Sequence, residues 1–141
     1  MTTKTKFSLL IAGVLGLLAI NTAHGFQPNN NLLPGNNVKL KVKSVQIGIT
    51  APQAGGCPAE VRMGVWIRTN KEGPVTFMIA RKGQSVGAPK TINAVKGSGG
   101  VYLATYMQDL TVHSSIKAEY RALVADGKGT ASAWAPLNIT C

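Results

Sequence analysis

The most distinctive chemical pattern in this sequence is a set of cations and one indole ring at alternate positions of two predicted strands. Its members are Lys39, Lys41, Lys43, Arg62, Trp66 and Arg68. In an extended chain, alternate residues stand about 6–7 Å apart on one side, which is twice the strand rise of about 3.3 Å. Such cations could bind a sulfated or phosphorylated glycan, or single-stranded nucleic acid by stacking. The alternative is a solvated face that keeps an edge strand from pairing with itself, with Trp66 beneath a loop.

Side chains suited to catalysis are few and scattered. His113 is the only histidine beyond the first 25 residues, so a triad has a single candidate base. No two carboxylates have a spacing that would let them share acid and base roles; they are Glu60, Glu72, Asp109, Glu119 and Asp126. The glycine-rich segment 97–100 lacks the lysine and helix of a phosphate loop. We therefore expect a non-catalytic protein with no cofactor and no metal site.

The N-terminus has the pattern of a secretory signal peptide. Lys4 and Lys6 precede an apolar run over residues 7–20, and Ala23 stands at −3 to a cleavage point after Gly25. The apolar run is short of the roughly 20 residues that a spanning helix needs, which disfavours the alternative of an uncleaved anchor. The sequence thus predicts residues 1–25 as a cleaved signal peptide, export to the periplasm or medium, and no membrane span afterwards. Thirteen basic and five acidic residues remain, a net charge of +8.

Two cysteines remain in the exported chain, Cys57 and Cys141. An oxidising compartment favours pairing them. Two free thiols or half of a metal site are the alternatives, but a thiolate metal site would need more nearby ligands than His113 provides. The sequence predicts one disulfide that closes a loop of about 85 residues, with a stabilisation of roughly 4–5 kcal/mol in the chain-entropy model.

Period-two alternation predicts an all-β chain. Residues 57–83 alternate, turn at 69–74 and alternate again, which predicts one β-hairpin. Residues 26–37 are rich in asparagine and proline and predict a flexible arm. In a first strand over residues 38–49, the apolar residues occupy even-numbered positions up to Val42 and odd-numbered positions from Val45. This change near Lys43 and Ser44 indicates a bulge. A short edge strand at 90–95, strands at 101–110 and 116–124, and a last run over 130–134 and 137–141 with a jog at Pro136 complete about seven strands in one domain, residues 38–141.

The run from Cys57 to Gly83, together with the last residue, resembles small secreted bacterial domains with an immunoglobulin-like sandwich. The residues that carry the resemblance are Cys57, Pro58, Val61, Ile67, Gly73, Val75, Phe77, Arg81, Gly83 and Cys141. The resemblance implies a seven-stranded immunoglobulin-like antiparallel β-sandwich with one disulfide, in which a cysteine opens the second strand and another ends the last. It implies no activity, because members of that kind mostly lack an assigned one. The chain departs from antibody domains, which place cysteines on the second and sixth strands.

These observations favour an exported, non-catalytic binding or interaction module with a basic surface. Its expected partner is an anionic glycan, another envelope component or a protein. Export disfavours a main role with nucleic acid, and no basic-aromatic RNA-binding motif is present. The alternatives are a structural subunit of a surface assembly and an inhibitor of an exported enzyme acting through residues 69–74. We expect a monomer, since seven strands complete the fold.

Overall fold

Seven antiparallel strands make up the computed structural model, which describes residues 38–52 and 56–141. The strands are β1 (Val42–Thr50), β2 (Ala59–Thr69), β3 (Gly73–Arg81), β4 (Lys90–Lys96), β5 (Tyr102–Val112), β6 (Ile116–Val124) and β7 (Ala135–Ile139). One 3-10 turn, Ser98–Gly100, precedes β5. Within the described residues, no helix is long and apolar enough to cross a membrane. The predicted signal peptide (1–25) and arm (26–37) lie outside the described residues.

Strand β2 shows how alternation in the sequence becomes a two-faced strand. Val61, Val65 and Ile67 are at most 1% exposed, whereas Arg62 and Arg68 of the opposite row are exposed. Successive side chains of a strand point to opposite faces, so the apolar row enters the core and the charged row meets water. Burying each of these aliphatic side chains stabilises the fold by about 1.5–3 kcal/mol. The predicted alternation of this strand is confirmed.

The strands follow one another in the order β1-β2-β5-β4-β3-β6-β7. Strand β4 joins the half formed by β1, β2 and β5 to the half formed by β3, β6 and β7. It pairs with β3 from Lys90 to Ala94, and then with β5 at Val95 and Lys96. The prediction that this segment is an edge strand is wrong. The alternation of apolar residues is weak in this segment because each neighbouring strand pairs with only part of β4, and much of its length stays exposed.

The two halves pack face to face as an immunoglobulin-like β-sandwich. One buried cluster draws on six strands and includes Val45, Ile67, Phe77, Ala104 and Ala122. The Phe77 ring of one layer meets the Tyr106 ring of the other edge to face, with centroids 5.3 Å apart. Strand β1 also lies against β6 and β7. The predicted fold class is confirmed.

Strands β2 and β3 do not form the predicted hairpin. Strand β2 pairs with β1 and β5, and β3 pairs with β4 and β6, so the turn between β2 and β3 carries the chain from one layer to the other. Gly73 makes the corner with φ +142°, and a Cβ there would lie 2.8 Å from Leu40 Cδ1. Alternation shows which residues share a face but not which strands pair, and this is why the sequence suggested a hairpin.

The first strand is shorter than predicted. It begins at Val42, so Lys39 and Lys41 precede it instead of sharing one of its faces with Lys43. The predicted bulge is confirmed, since the pairing of β1 with β2 shifts register between Val42 and Ser44. The extra residue in the bulge is Lys43, which is exposed.

The predicted disulfide joins Cys57 to Cys141, with Cα atoms 5.2 Å apart and a sequence separation of 84 residues. Cys57 precedes β2 by two residues, and Cys141 follows β7 by the same number. A second buried cluster lies beside the bridge and includes Val61, Leu137 and Ile139. The bridge therefore holds together the two layers at the end of the sandwich away from the bulge.

Candidate anion-binding surface

The outer face of β2 carries three of the predicted site residues in one row. Arg62, Trp66 and Arg68 all lie on the face opposite the core, with Gly64 between the first two. Their cross-strand partners on β1 are Thr50 for Arg62, Gln46 for Trp66 and Ser44 for Arg68. Trp66 lies between the two arginines along this row. Arg68 is at the end of the row that pairs beside the bulge at Lys43, whereas Arg62 is at the opposite end.

Arg68 and Lys43 share an open cleft of about 480 Å³ at one end of this face. Ser44, Asn70 and Gly100 also line it, as does Tyr102. Of the described residues that line this cleft, none is acidic. Arg68 and Lys43 are both exposed, so their charges are hydrated and accessible. We call this site, defined by Lys43, Ser44, Arg68 and Asn70, the basic cleft.

Asn70 ties the other two predicted lysines to the same end of the molecule. Its Oδ1 accepts a hydrogen bond of 2.6 Å from the backbone N–H of Lys41, and its Nδ2 donates to the carbonyl of Lys39 at 3.1 Å. The backbone N–H of Asn70 also donates to the carbonyl of Lys41. Residues 39–41 are therefore held beside the basic cleft by hydrogen bonds to a turn residue, without belonging to a strand.

Arg62 does not belong to this cationic group. Its Nε donates to Asp109 Oδ1 on β5 across 2.7 Å, and both side chains are about two-thirds exposed. The hydrogen bond from Arg62 holds the pKa of Asp109 below its ordinary value, and the same contact raises the pKa of Arg62. An exposed pair of this kind contributes little to stability, but it neutralises the arginine. The structure therefore separates Arg62 from the other five residues of the predicted surface.

Trp66 lies against a floor made of two glycines. Gly48 of β1 and Gly64 of β2 are direct cross-strand partners. A Cβ on Gly64 would lie 2.5 Å from Trp66 Cη2, and a Cβ on Gly48 would lie 3.1 Å from Trp66 Cζ3. Met107 of β5, the other partner of Gly64, is 53% exposed, and its Sδ would lie 2.9 Å from the same added Cβ on Gly64. The half-buried indole thus lies close to the backbone of both glycines on the outer face of the sheet.

Sequence reasoning missed three residues at this end of the molecule. Lys96 is the cross-strand partner of Tyr102, which lines the basic cleft. Lys71 follows Asn70 in the β2–β3 turn, and Gly100 contributes backbone from the β4–β5 connection. No pattern in the sequence pointed to Lys96, because its position depends on the register between β4 and β5. Lys71 could have been found by noting that it follows Arg68 by three residues in the same predicted hairpin.

The groups weighed for catalysis do not come together. His113 is exposed in the β5–β6 connection. Asp109 and Glu119 are engaged by Arg62 and Lys82 on different strands. In residues 38–52 and 56–141, no group of three or more histidine, cysteine, aspartate or glutamate side chains could hold a metal ion.

The architecture defines this chain as an immunoglobulin-like β-sandwich with one disulfide. No protein-family model matches the sequence, and no curated protein matches it. A solved structure that it resembles is the solution NMR structure of a CARDB domain from Pyrococcus furiosus, with a TM-score of 0.44 and 10% sequence identity. The similarity covers 69% of this chain and 93% of that domain. A TM-score of this size supports no conclusion about activity or ancestry.

Proposed function

We propose that this chain is an exported, non-catalytic binding module of the small secreted bacterial type, which holds an anionic polymer in the basic cleft. The observation that carries the proposal is the convergence of Lys43 and Arg68 in one cleft that no carboxylate of the described residues lines. Export follows from the predicted signal peptide, and the disulfide is compatible with an oxidising compartment.

The charge around the cleft is strongly unbalanced. Cations at this end of the molecule include Lys39, Lys41, Lys43, Arg68, Lys71 and Lys96. Of the five acids, Glu72 follows Lys71 in the β2–β3 turn and Glu60 lies at the opposite end of β2 from Arg68. The other three, Asp109, Glu119 and Asp126, lie on β5, on β6 and in the β6–β7 connection. Clustered charges of one sign attract counter-ions and raise the local concentration of an oppositely charged ligand. A polymer with repeated sulfate, phosphate or carboxylate groups would satisfy several of these cations at once.

The geometry favours binding over chemistry. The cleft offers two exposed cations, a serine hydroxyl and an asparagine amide, which together can donate hydrogen bonds to an oxyanion. It offers no general base, since His113 lies in the connection between β5 and β6. Contacts with exposed cations are weakened by salt, because the Debye length is about 8 Å at physiological ionic strength. Binding by this surface should therefore be salt-sensitive.

Matched charge reversals test this function. Dextran sulfate is the probe, and affinity is measured at low and physiological salt for the wild type, Lys43→Glu, Arg68→Glu and Lys117→Glu. Lys117 is an exposed lysine on β6 in the other layer, so its reversal changes net charge equally. We expect the two cleft variants to bind about tenfold more weakly, since each loses one exposed ion pair and gains a repulsion. Equal weakening by Lys117→Glu would show that only net charge matters and would overturn the proposal.

A further inference from the structure

We propose that Trp66 and its glycine floor form a stacking shelf for a pyranose ring, so that the anionic polymer bound at the basic cleft is a glycan. This inference rests on the proposed function, because it names the ligand class of that same surface. We define the indole shelf as Trp66, Gly48, Gly64 and Met107.

The glycine floor is the first argument. Glycine in a strand interior is destabilising and often marks a place where another group approaches closely. Here two glycines are direct partners on β1 and β2, and side chains at either position would meet the indole. Their joint absence of side chains lets the outer edge of the six-membered ring of Trp66 approach the backbone of the sheet. A ring held this way is fixed in orientation before any ligand arrives, which lowers the entropic cost of binding.

The second tryptophan supplies a contrast within the same molecule. Trp134, which precedes β7, has the Arg121 guanidinium 4.6 Å from its ring centroid and Lys82 Nζ at 5.9 Å. Its ring is thus engaged by cations of the chain itself. In the described residues, no such cation lies over Trp66, although arginines flank it along the strand. Of the two tryptophans, Trp66 is therefore the one whose ring we assign to stacking with an external partner.

The surroundings of Trp66 favour a sugar. The C–H groups on one side of a pyranose pack on an aromatic face while its hydroxyls need hydrogen-bonding partners at the rim. Gln46 on β1 and Thr105 on β5 are the cross-strand partners of Trp66 and supply an amide and a hydroxyl. Arg68 follows two residues along the same face, about 6–7 Å away. A ring on Trp66 would thus place an anionic substituent of the same or the next sugar beside Arg68 and Lys43.

A protein partner fits this face less well. The apolar part of the shelf consists of one half-buried indole and the exposed Met107 side chain. The Arg62–Asp109 ion pair bounds it at one end, and the basic cleft bounds it at the other. Stable protein interfaces bury a larger area with an apolar centre. A single ring flanked by polar groups is instead matched in size to one sugar unit.

The test compares two polyanions of which one contains sugar rings. Affinities for dextran sulfate and for inorganic polyphosphate are measured with the wild type, Trp66→Ala and Gly64→Ala, and with Trp134→Phe as the control in the other layer. We expect Trp66→Ala to weaken dextran sulfate binding about tenfold, the scale of a lost stacking contact, and to leave polyphosphate binding unchanged. Gly64→Ala keeps the indole but displaces it, and should weaken dextran sulfate binding by a smaller factor.

Tryptophan fluorescence gives a second readout. In Trp134→Phe, Trp66 is the one remaining tryptophan, and its fluorescence should respond to dextran sulfate and not to polyphosphate.

The outcomes separate the two proposals. Unchanged dextran sulfate binding in Trp66→Ala would overturn the shelf and leave the basic cleft standing. Equal losses for both polymers would also overturn it, because Trp66 would then act through the fold. If neither polyanion binds the wild type, the proposed function fails, and unsulfated dextran decides the shelf by itself: binding that Trp66→Ala abolishes supports it, and no binding rejects it.

Discussion

Arg62 Nε lies 2.7 Å from Asp109 Oδ1, and this contact distinguishes the two arginines that flank Trp66. Arg68, six residues further along β2, has no carboxylate partner in the described part of the chain and faces Lys43 across the basic cleft. The positive surface is therefore concentrated at one end of the sheet. The unpaired cations thus lie on the Arg68 side of Trp66, and the cation on its other side, Arg62, is paired with Asp109.

The disulfide should provide much of the stability of the fold. Replacing Cys57 and Cys141 together by serine removes a cross-link between residues 84 apart. In the chain-entropy model this costs about 4–5 kcal/mol, because the unfolded chain regains the freedom of a long loop. Urea unfolding of the wild type and the double variant, monitored by circular dichroism, measures the change in the free energy of unfolding. A loss below about 1 kcal/mol would contradict this account of the bridge.

Gly73 should be one of the least replaceable glycines. Its φ of +142° is rarely adopted by other residues, and an added Cβ would lie 2.8 Å from Leu40 Cδ1. We expect Gly73→Ala to destabilise the domain by about 1–3 kcal/mol, since strain and a clash combine at the corner between the layers. Gly127→Asn is the control: Gly127 has φ +72° with open space around it, and asparagine tolerates that conformation. Equal costs for the two variants would disprove a special role for the corner.

Asp126 should make part of the stability depend on pH in the acid range. Hydrogen bonds from the Thr130 hydroxyl and then from the Lys128 backbone N–H lower the pKa of its carboxyl from the ordinary 3.8. A carboxyl with a lowered folded-state pKa stabilises the fold above the unfolded-state value, and the contribution is lost as the pH falls through the folded-state value. The stability difference between wild type and Asp126→Ala should thus be constant above about pH 5 and shrink below 3.8. A difference that grows on acidification would have the wrong sign.

The sequence predicted those parts of the fold that depend on local pattern. The row Val61, Val65, Ile67 revealed the buried face of β2, and the parity change after Lys43 revealed the bulge. The sequence did not predict which strands pair, because an alternating strand is compatible with several neighbours. That is why the segment from β2 to β3 looked like a hairpin, and why β4 looked like an edge.

The candidate site shows the same division. Trp66 and Arg68 could be placed on one face from their spacing alone. The contacts that separate Arg62 from that group depend on Asp109, which is 47 residues away in the sequence. The glycine floor likewise depends on the register that pairs Gly48 with Gly64. Long-range register, which no local pattern encodes, decided which of the predicted residues act together.

A residue-level map of binding tests the central claim most directly. Short dextran sulfate chains are added to uniformly labelled protein at low salt, and the shifts of backbone amide resonances are followed by NMR. The account predicts the largest shifts at Lys43, Ser44, Arg68 and Asn70, with smaller ones at Gly100 and Tyr102. Shifts confined to the other layer, around Lys117 and Arg121, or no shifts at saturating polymer, would contradict it.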